Sequence, residues 1–194
     1  MRNIIISFIL FIVFSGCITI QIPIPIQQCR QNFAVIYMCD SFDSNEFNSV
    51  MYMLKKANAT ITKVSDSAGL CHSIDPKYKP DINFSQLNVA NTSGFYLVNS
   101  PGLLNSNEEL EGILIQANSN NKPIAVSELG ILFLARAGII YARHSAPVRG
   151  YEQELKSSNV IIVERNIVKD KNILTNLDTQ YVNQLSVKLV NEVC

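Results

Sequence analysis

The order of apolar segments between residues 33 and 193 is the feature that most restricts the possible fold. Short apolar runs typical of buried strands alternate with segments whose apolar residues recur at helical spacing. The pattern predicts strands at 33–38, 60–64, 95–98, 123–127, 160–163, 167–169 and 173–175, and helices at 43–57, 107–118, 131–137 and 179–193. Because strands that alternate with helices form βαβ units, we predict one α/β domain whose mostly parallel sheet is covered on both faces.

The composition excludes two classes of protein. Hydrophobic residues make up 47% of the chain and charged residues only 16%, which excludes an intrinsically disordered protein. The 16 Lys and Arg residues equal the 16 Asp and Glu residues, so the formal net charge is +0. Since the chain has neither a basic excess nor a basic stripe, we predict no nucleic-acid partner.

The first 17 residues have the pattern of a secretory signal peptide. A basic residue precedes the apolar run 4–14, and small residues lead from that run to Cys17. An uncleaved membrane anchor is the alternative, because the apolar run extends to Ile20, close to the roughly 20 residues that a spanning helix needs. The sequence just before Cys17 also resembles a bacterial lipoprotein cleavage box, with Phe14 where Leu is usual.

The residues after this leader form an extended spacer. Pro23 and Pro25 would end any helix that began in the leader. We therefore predict a Pro-containing spacer at 18–31 and a folded domain at 32–194. The expected location is outside the cell or in the endomembrane lumen, with membrane attachment only if the N-terminal segment is retained.

Two further features agree with export. Sequons for N-glycosylation occur at Asn58, Asn83 and Asn91. Cleavage beyond Cys17 would leave four cysteines, which allow three pairings that the sequence does not distinguish: Cys29, Cys39, Cys71 and Cys194. We interpret Cys39, at the end of an apolar strand, as a small buried apolar residue.

A strand, a sharp turn and a helix follow one another between residues 123 and 137. In doubly wound sheets, ligands bind at the carboxyl ends of the strands, so the segments 39–46, 99–104 and 127–130 are the candidate site. In the last of them, Ser127 ends a strand and a helix begins just after Gly130. This is the layout of a nucleophile elbow, whose central residue is strained and exposed at the top of the sheet.

Several motifs together resemble one known family. They are Asp40-Ser-Phe-Asp-Ser-Asn-Glu46-Phe47, Lys55-Lys-Ala-Asn58, Asn99-Ser-Pro-Gly102, Ala125-Val-Ser-Glu128-Leu129-Gly130, and Ala137-Gly-Ile-Ile140 followed by His144. From about Phe33 to Val193 the sequence resembles the ThiJ/PfpI superfamily, within the class I glutamine-amidotransferase-like fold. In the fourth motif, Glu128 stands where active members carry the nucleophilic cysteine, and Leu129 stands where they carry the adjacent histidine.

The resemblance carries expectations about fold, assembly and site. It implies a flavodoxin-like, doubly wound, three-layer αβα sandwich that forms a homodimer and needs neither a cofactor nor a metal. The elbow and oxyanion-side backbone would be supplied by Gly102, Leu129 and Gly130. Asn58 would occupy a left-handed turn, because Asn replaces the glycine of the family there.

The loss of the elbow cysteine favours a protein without catalytic activity. A carboxylate at the elbow cannot form the covalent adducts that a thiolate forms. We interpret the protein as an exported binding or assembly module, with Glu128 stabilising the turn. Ser127 is expected to face the interior of the sheet rather than to act as a displaced nucleophile.

Two alternatives remain open at this level. The first is a hydrolase or lyase in which the carboxyl groups of Glu46 and Glu128 lie within about 2.5–3.2 Å and share a proton, with His144 as a proton acceptor in the same cleft. The second is a redox-responsive protein that uses Cys39 or Cys71. A metal site at Cys71 and His72 is not predicted, because the pair lacks a second pair of ligands.

Overall fold

The computed structural model describes residues 27–67 and 76–194. The strands in these ranges are β1 (Asn32–Tyr37), β2 (Thr60–Ser65), β3 (Ile82–Asn83), β4 (Gly94–Leu97), β5 (Ile124–Ser127), β6 (His144–Ser145), β7 (Ile161–Ile162), β8 (Ile167–Asp170) and β9 (Ile173–Asn176). The helices are α1 (Ser44–Lys56), α2 (Glu108–Ser119), α3 (Leu129–Arg136), α4 (Glu152–Ser157) and α5 (Val182–Val193). The predicted leader, most of the spacer, Cys71 and His72 lie outside the described residues.

One large sheet organises the domain. Its strand order is β3-β2-β1-β4-β5-β9-β8, and every neighbouring pair is parallel except β8 with β9. The chain moves outward from β1 to β3 and then returns to the other side of β1 with β4. The sequence prediction of a doubly wound, mostly parallel sheet is therefore confirmed.

Helices cover both faces of this sheet, which gives the three layers of a flavodoxin-like fold. Residues of β1 alternate between two hydrophobic cores: Phe33, Val35 and Tyr37 pack in the core under α1 and α5. Ala34 and Ile36 pack in the core on the opposite face, with side chains of α2 and α3. Because both faces of the strand are buried, its sequence is a continuous apolar run rather than an alternating one.

The structure differs from the predicted elements where the chain is irregular. The short strands β3 and β6 and the helix α4 were not predicted, because two to six residues give too little periodicity to recognise. The apolar run 160–163 contributes only β7, which pairs with β6 in a separate two-stranded sheet. The predicted helix 179–193 begins with a 3-10 turn, Thr179–Tyr181, before α5.

Local sequence signals fix the ends of α1. The side chain of Asp43 accepts hydrogen bonds from the backbone N–H groups of Asn45 and Glu46, as an N-cap residue does. After the helix, Asn58 has a φ of 61°, so the predicted left-handed turn at this asparagine is confirmed. Asn tolerates this conformation better than most residues with a side chain.

A disulfide ties the start of the domain to its end. Cys29 is bonded to Cys194, and their Cα atoms lie 5.7 Å apart, inside the usual range for disulfides. Cys39 is 5% exposed, as expected for a buried residue, but it is also disulfide-bonded. The interpretation of Cys39 as a simple apolar residue is therefore wrong, and its partner lies outside the described residues.

Among the helices of 27–67 and 76–194, none is long and apolar enough to cross a membrane.

Candidate functional site

The candidate site lies where the direction of strand order reverses. Strands β1 and β4 are neighbours, yet the chain leaves them toward opposite sides of the sheet. A crevice forms outside the carboxyl ends of strands at such a switch point. Glu46 follows β1, Asn99 follows β4, and Glu128 follows β5, so all three segments predicted for the site meet at this edge.

The turn between β5 and α3 is a strained elbow, as the sequence predicts. Glu128 has φ 41° and ψ −112°, a backbone conformation that side-chain-bearing residues rarely adopt. The helix can start so close to the strand because Gly130 lacks a side chain. A Cβ atom at Gly130 would lie 3.0 Å from the Cβ of Val126, which is too close for ordinary packing.

Glu46 lies beneath the elbow, almost completely sealed from solvent. Its side chain is in the first turn of α1 and only 1% of it is exposed. Its Oε1 accepts hydrogen bonds from the hydroxyl groups of Tyr96 (2.8 Å) and Ser127 (2.5 Å), and its Oε2 accepts one from the backbone N–H of Asn99 (2.9 Å). Ser127 is fully buried and its hydroxyl donates to Glu46, so the predicted orientation of this hydroxyl toward the interior is confirmed.

Burial governs the ionisation of Glu46. Loss of hydration raises the pKa of Glu46 to about 7, and the hydrogen bonds from Ser127, Tyr96 and Asn99 oppose that rise because they favour the carboxylate. Glu46 therefore changes its charge near neutral pH inside the protein. Burial also raises the pKa of Tyr96 well above its usual range, so this phenol stays a hydrogen-bond donor.

Asn99 stands between the two carboxyl groups that we expected to touch. Its Nδ2 donates to Glu128 Oε2 over 2.8 Å, while its backbone N–H donates to Glu46. In the described part of the chain, Glu46 and Glu128 form no hydrogen bond with each other. The predicted direct carboxyl pair is therefore wrong. Asn99 joins the two groups instead, through its side-chain amide to Glu128 and its backbone N–H to Glu46.

Glu128 is held by donors on two sides. The backbone N–H of Thr179 donates to its carboxylate in addition to the amide of Asn99. Partial burial raises the pKa of Glu128, and these hydrogen bonds oppose the rise. Glu128 therefore ties the elbow to the loops after β4 and β9.

Within the described part of the chain, two of the three backbone donors expected to line an oxyanion site, those of Leu129 and Gly102 but not that of Gly130, have acceptors. The N–H of Leu129 donates to Asn99 Oδ1 over 3.2 Å. The N–H of Gly102 donates to the hydroxyl oxygens of Ser41 (3.2 Å) and Ser100 (3.1 Å). A substrate carbonyl would have to displace a side chain of the protein before it could bind either group.

His144 does not join this site. Its backbone N–H and its ring Nδ1 both lie 2.8 Å from Asp170 Oδ2, at the end of β8. Asp170 pairs with Ile173 at the start of β9, whereas Ser127 of the elbow pairs with Asn176 at the end of β9. His144 therefore lies toward the end of the sheet opposite to the elbow. There, the hydrogen bond from its backbone N–H lowers the pKa of Asp170.

The cleft at the site edge lies beside the elbow rather than over it. It has a volume of about 240 Å³ and is lined by Met38, Asp40, Ser41, Asp66, Gly102 and 105–107. Neither Glu46 nor Glu128 lines it. Within the described ranges, no three His, Cys, Asp or Glu side chains come together in a way that could hold a metal ion.

The three sequon asparagines differ in their surroundings. Asn58 and Asn91 are exposed, and each precedes the start of a parallel strand, away from the elbow. Asn83 is half-buried, and its Oδ1 accepts a hydrogen bond from the hydroxyl of Ser85 over 2.8 Å.

The fold, with a strained elbow above a buried glutamate at its switch point, defines a flavodoxin-like, doubly wound α/β protein. The model of the DJ-1/PfpI family matches residues 33–192, and the chain belongs to this family. The match includes residues from every strand of the doubly wound sheet, so the resemblance found in the sequence is confirmed.

Solved structures of the same family share this architecture. A ThiJ/PfpI domain protein from Brachyspira murdochii superposes with a TM-score of 0.75 at 17% identity, covering 86% of this chain and 100% of its own. DJ-1beta from Drosophila melanogaster superposes with a TM-score of 0.71 at 18% identity, covering 85% of this chain and 92% of its own. A DJ-1 superfamily protein from Salmonella typhimurium superposes with a TM-score of 0.73 at 15% identity, covering 84% of this chain and 89% of its own. Identities this low show the fold alone, and the chain matches no curated protein sequence.

Sequence reasoning missed the residue that organises the site. The segment 99–104 was recognised as a strand-end loop, but Asn99 itself was given no role. Its position directly after a buried strand was the only signal available. The contacts of Asn99 with Glu46, Glu128 and Leu129 depend on segments that are distant in the sequence.

Proposed function

We propose that this protein is an exported, catalytically inactive member of the DJ-1/PfpI family that acts by binding or assembly. The observation that carries the proposal is the side-chain amide of Asn99. It bonds both to the carboxylate at the elbow and to the neighbouring backbone N–H of Leu129. The chain thus fills, with its own amide, the positions in which a substrate carbonyl would be held.

The chemistry of the elbow agrees with inactivity. Covalent catalysis at an elbow needs a nucleophile activated by a base or by a lowered pKa. Here the elbow residue is Glu128, a carboxylate that already accepts hydrogen bonds from Asn99 and Thr179. Stabilisation of an oxyanion needs donors aimed at vacant space, and the N–H groups of Leu129 and Gly102 both have acceptors within the chain.

The acidic-pair hydrolase or lyase is the weaker candidate. A general acid or base has to come within hydrogen-bonding reach of its substrate. Glu46 is 1% exposed and contacts Tyr96, Ser127 and Asn99 rather than Glu128. The pKa of Glu46 near neutrality favours this candidate, but burial keeps its carboxyl group from direct contact with a ligand in solution.

Disulfide bonding supports the proposed location. Cys29 is bonded to Cys194, and Cys39 is disulfide-bonded as well. Disulfides persist in oxidising compartments and are rare where thiols are kept reduced. The same bonds make a thiol-based sensor the weaker alternative, since Cys39 is both bonded and buried.

A second copy of the chain is the first partner that we propose. Members of the family commonly form dimers, and the resemblance extends over the whole domain. Light scattering after size exclusion would give the mass of the mature protein in solution. A monomer at every concentration would direct the search to a different partner and would overturn the homodimer.

The activity assay is the direct test of inactivity. Purified mature protein should consume methylglyoxal and an activated ester no faster than buffer does, and Glu128→Gln should change nothing. Glu164→Gln, at an exposed carboxylate outside the hydrogen-bond network of Glu46 and Glu128, is the matched control. A rate that Glu128→Gln or Glu46→Gln abolishes, and that Glu164→Gln leaves intact, would overturn the proposal in favour of the acidic-pair enzyme.

A further inference from the structure

A groove lined by lysines lies on the α1 face of the sheet, over the first half of β2. It has a volume of about 440 Å³, in the range of small-molecule sites. Its floor consists of Met51, Ala59 and Ile61, which are half-buried at the margin of the core under α1. We call this feature the lysine groove.

The groove exists because the helical layer does not cover all of β2. The burial of this strand changes along its length: residues 60–63 are exposed or half-buried, and Val64 and Ser65 are fully covered. Strand β3 pairs with β2 only at those last two residues. In a parallel sheet the strands are normally buried on both faces. Here the first half of β2 is not fully covered, so the apolar side chain of Ile61 is only half-buried.

Positive charge surrounds the apolar floor. Lys55, Lys63 and Lys77 line the groove, with Asp81 as the one carboxylate among the lining residues. Asp81 lies 3.6 Å from the ammonium of Lys63 and also accepts a hydrogen bond from its backbone N–H. The ammonium of Lys55 forms no ion pair with any described residue. In a chain whose formal charge is +0, this is a local excess of positive charge.

We propose that the lysine groove binds a small amphipathic anion, a carboxylate attached to an apolar chain. The apolar chain would lie on Met51, Ala59 and Ile61, where it removes apolar surface from water. The carboxylate would lie between the ammonium groups of Lys55 and Lys63. None of the described residues that line the groove is a serine, a cysteine or a histidine, and we assign the groove a binding role.

This site is separate from the elbow. The groove lies over the first residues of β2, at the edge of the sheet where the parallel strands begin, whereas Glu128 follows the last residue of β5. The inference therefore does not depend on the inactivity of the elbow. Glu128→Gln should leave binding in the lysine groove unchanged.

Calorimetric titration with octanoate tests the inference directly. Octanoate should bind saturably, and octanamide, which has nearly the same chain but no charge, should bind at least about tenfold more weakly. Raising the salt from about 20 to about 300 mM should weaken octanoate binding and leave octanamide unaffected. Equal affinity for the two compounds, or no saturable binding of octanoate, would overturn the proposal.

Substitutions locate the binding. Lys55→Gln should weaken octanoate binding about three- to tenfold, and Lys55→Glu should weaken it further. Lys55 is exposed in the last turn of α1, so both variants should fold. Lys156→Gln, at an exposed lysine of α4, is the control and should bind like the unmodified protein. Loss of affinity in Lys156→Gln equal to that in Lys55→Gln would place the binding elsewhere and refute the lysine groove.

Discussion

The side-chain amide of Asn99 donates to Glu128 Oε2 over 2.8 Å and accepts from the backbone N–H of Leu129 over 3.2 Å. A single asparagine thus satisfies both the carboxylate and the backbone donor of the elbow. Its backbone N–H also donates to Glu46, beneath them. Asn99 is therefore the common partner of Glu46, Glu128 and the backbone N–H of Leu129.

Removal of the Asn99 amide should destabilise the protein. Asn99→Ala leaves the N–H of Leu129 without a partner and the half-buried Glu128 with only the backbone N–H of Thr179. We expect a loss of about 1–3 kcal/mol in the free energy of unfolding. Asn99→Asp should cost more at about pH 8 than at about pH 5, because it adds a negative charge beside Glu128. Urea unfolding measures both effects. Asn166→Ala, at an exposed side chain, is the control. If Asn99→Ala were as stable as that control, Asn99 would have no organising role.

Glu46 should make the stability of the protein depend on pH. Its folded pKa, about 7, lies above the usual 4.5, so the native state holds this proton more tightly than the unfolded state does. The stabilisation is fully present below about pH 4.5 and is lost as the pH rises through about 7, a change on the order of 3 kcal/mol. Glu46→Gln should remove this slope between about pH 5 and about pH 8, and Glu164→Gln should retain it. A slope that is identical in all three proteins would show that Glu46 does not titrate there.

The disulfide between Cys29 and Cys194 should contribute strongly to stability. It joins residues separated by 165 positions, so it restricts the unfolded chain over almost the whole domain. The double variant Cys29→Ser/Cys194→Ser should lose about 3–5 kcal/mol, measured from urea midpoints under oxidising conditions. An unchanged midpoint would mean that this bond is absent from the purified protein.

Glycan occupancy should follow the surroundings of each sequon. In a eukaryotic secretory host, Asn58 and Asn91 should carry glycans because their side chains are exposed, and Asn83 should carry little because it is half-buried and bonded to Ser85. Glycopeptide mass spectrometry measures the three sites separately. Full occupancy of Asn83 with Asn58 and Asn91 unmodified would contradict the expectation.

The leader should be removed during export. Mass spectrometry of the native protein should find a mature N-terminus between residues 16 and 25, because the small residues before Cys17 suit cleavage and the prolines at 23 and 25 follow it. An intact Met1 on a protein recovered from the cytosol would overturn the proposed location, and glycosylation would then not be expected.

The sequence by itself determined the architecture and the elbow. Alternating apolar runs predicted the parallel sheet, and the close spacing of Ser127, Glu128 and Gly130 predicted the strained turn that the backbone of Glu128 shows. These features could be predicted because periodicity, turn chemistry and strain are properties of a few adjacent residues.

Only the tertiary structure decided which groups meet. Glu46 follows β1 and Glu128 follows β5, and β4 lies between these two strands. The loop after β4 therefore places Asn99 between the two carboxyl groups. His144, which the sequence assigned to the same cleft, lies instead beside Asp170 toward the opposite edge. The pairing of Cys29 with Cys194 was one of three that the sequence left open. Contacts of this kind depend on the paths of loops that are far apart in the chain, and the local periodicity of the sequence carries no information about them.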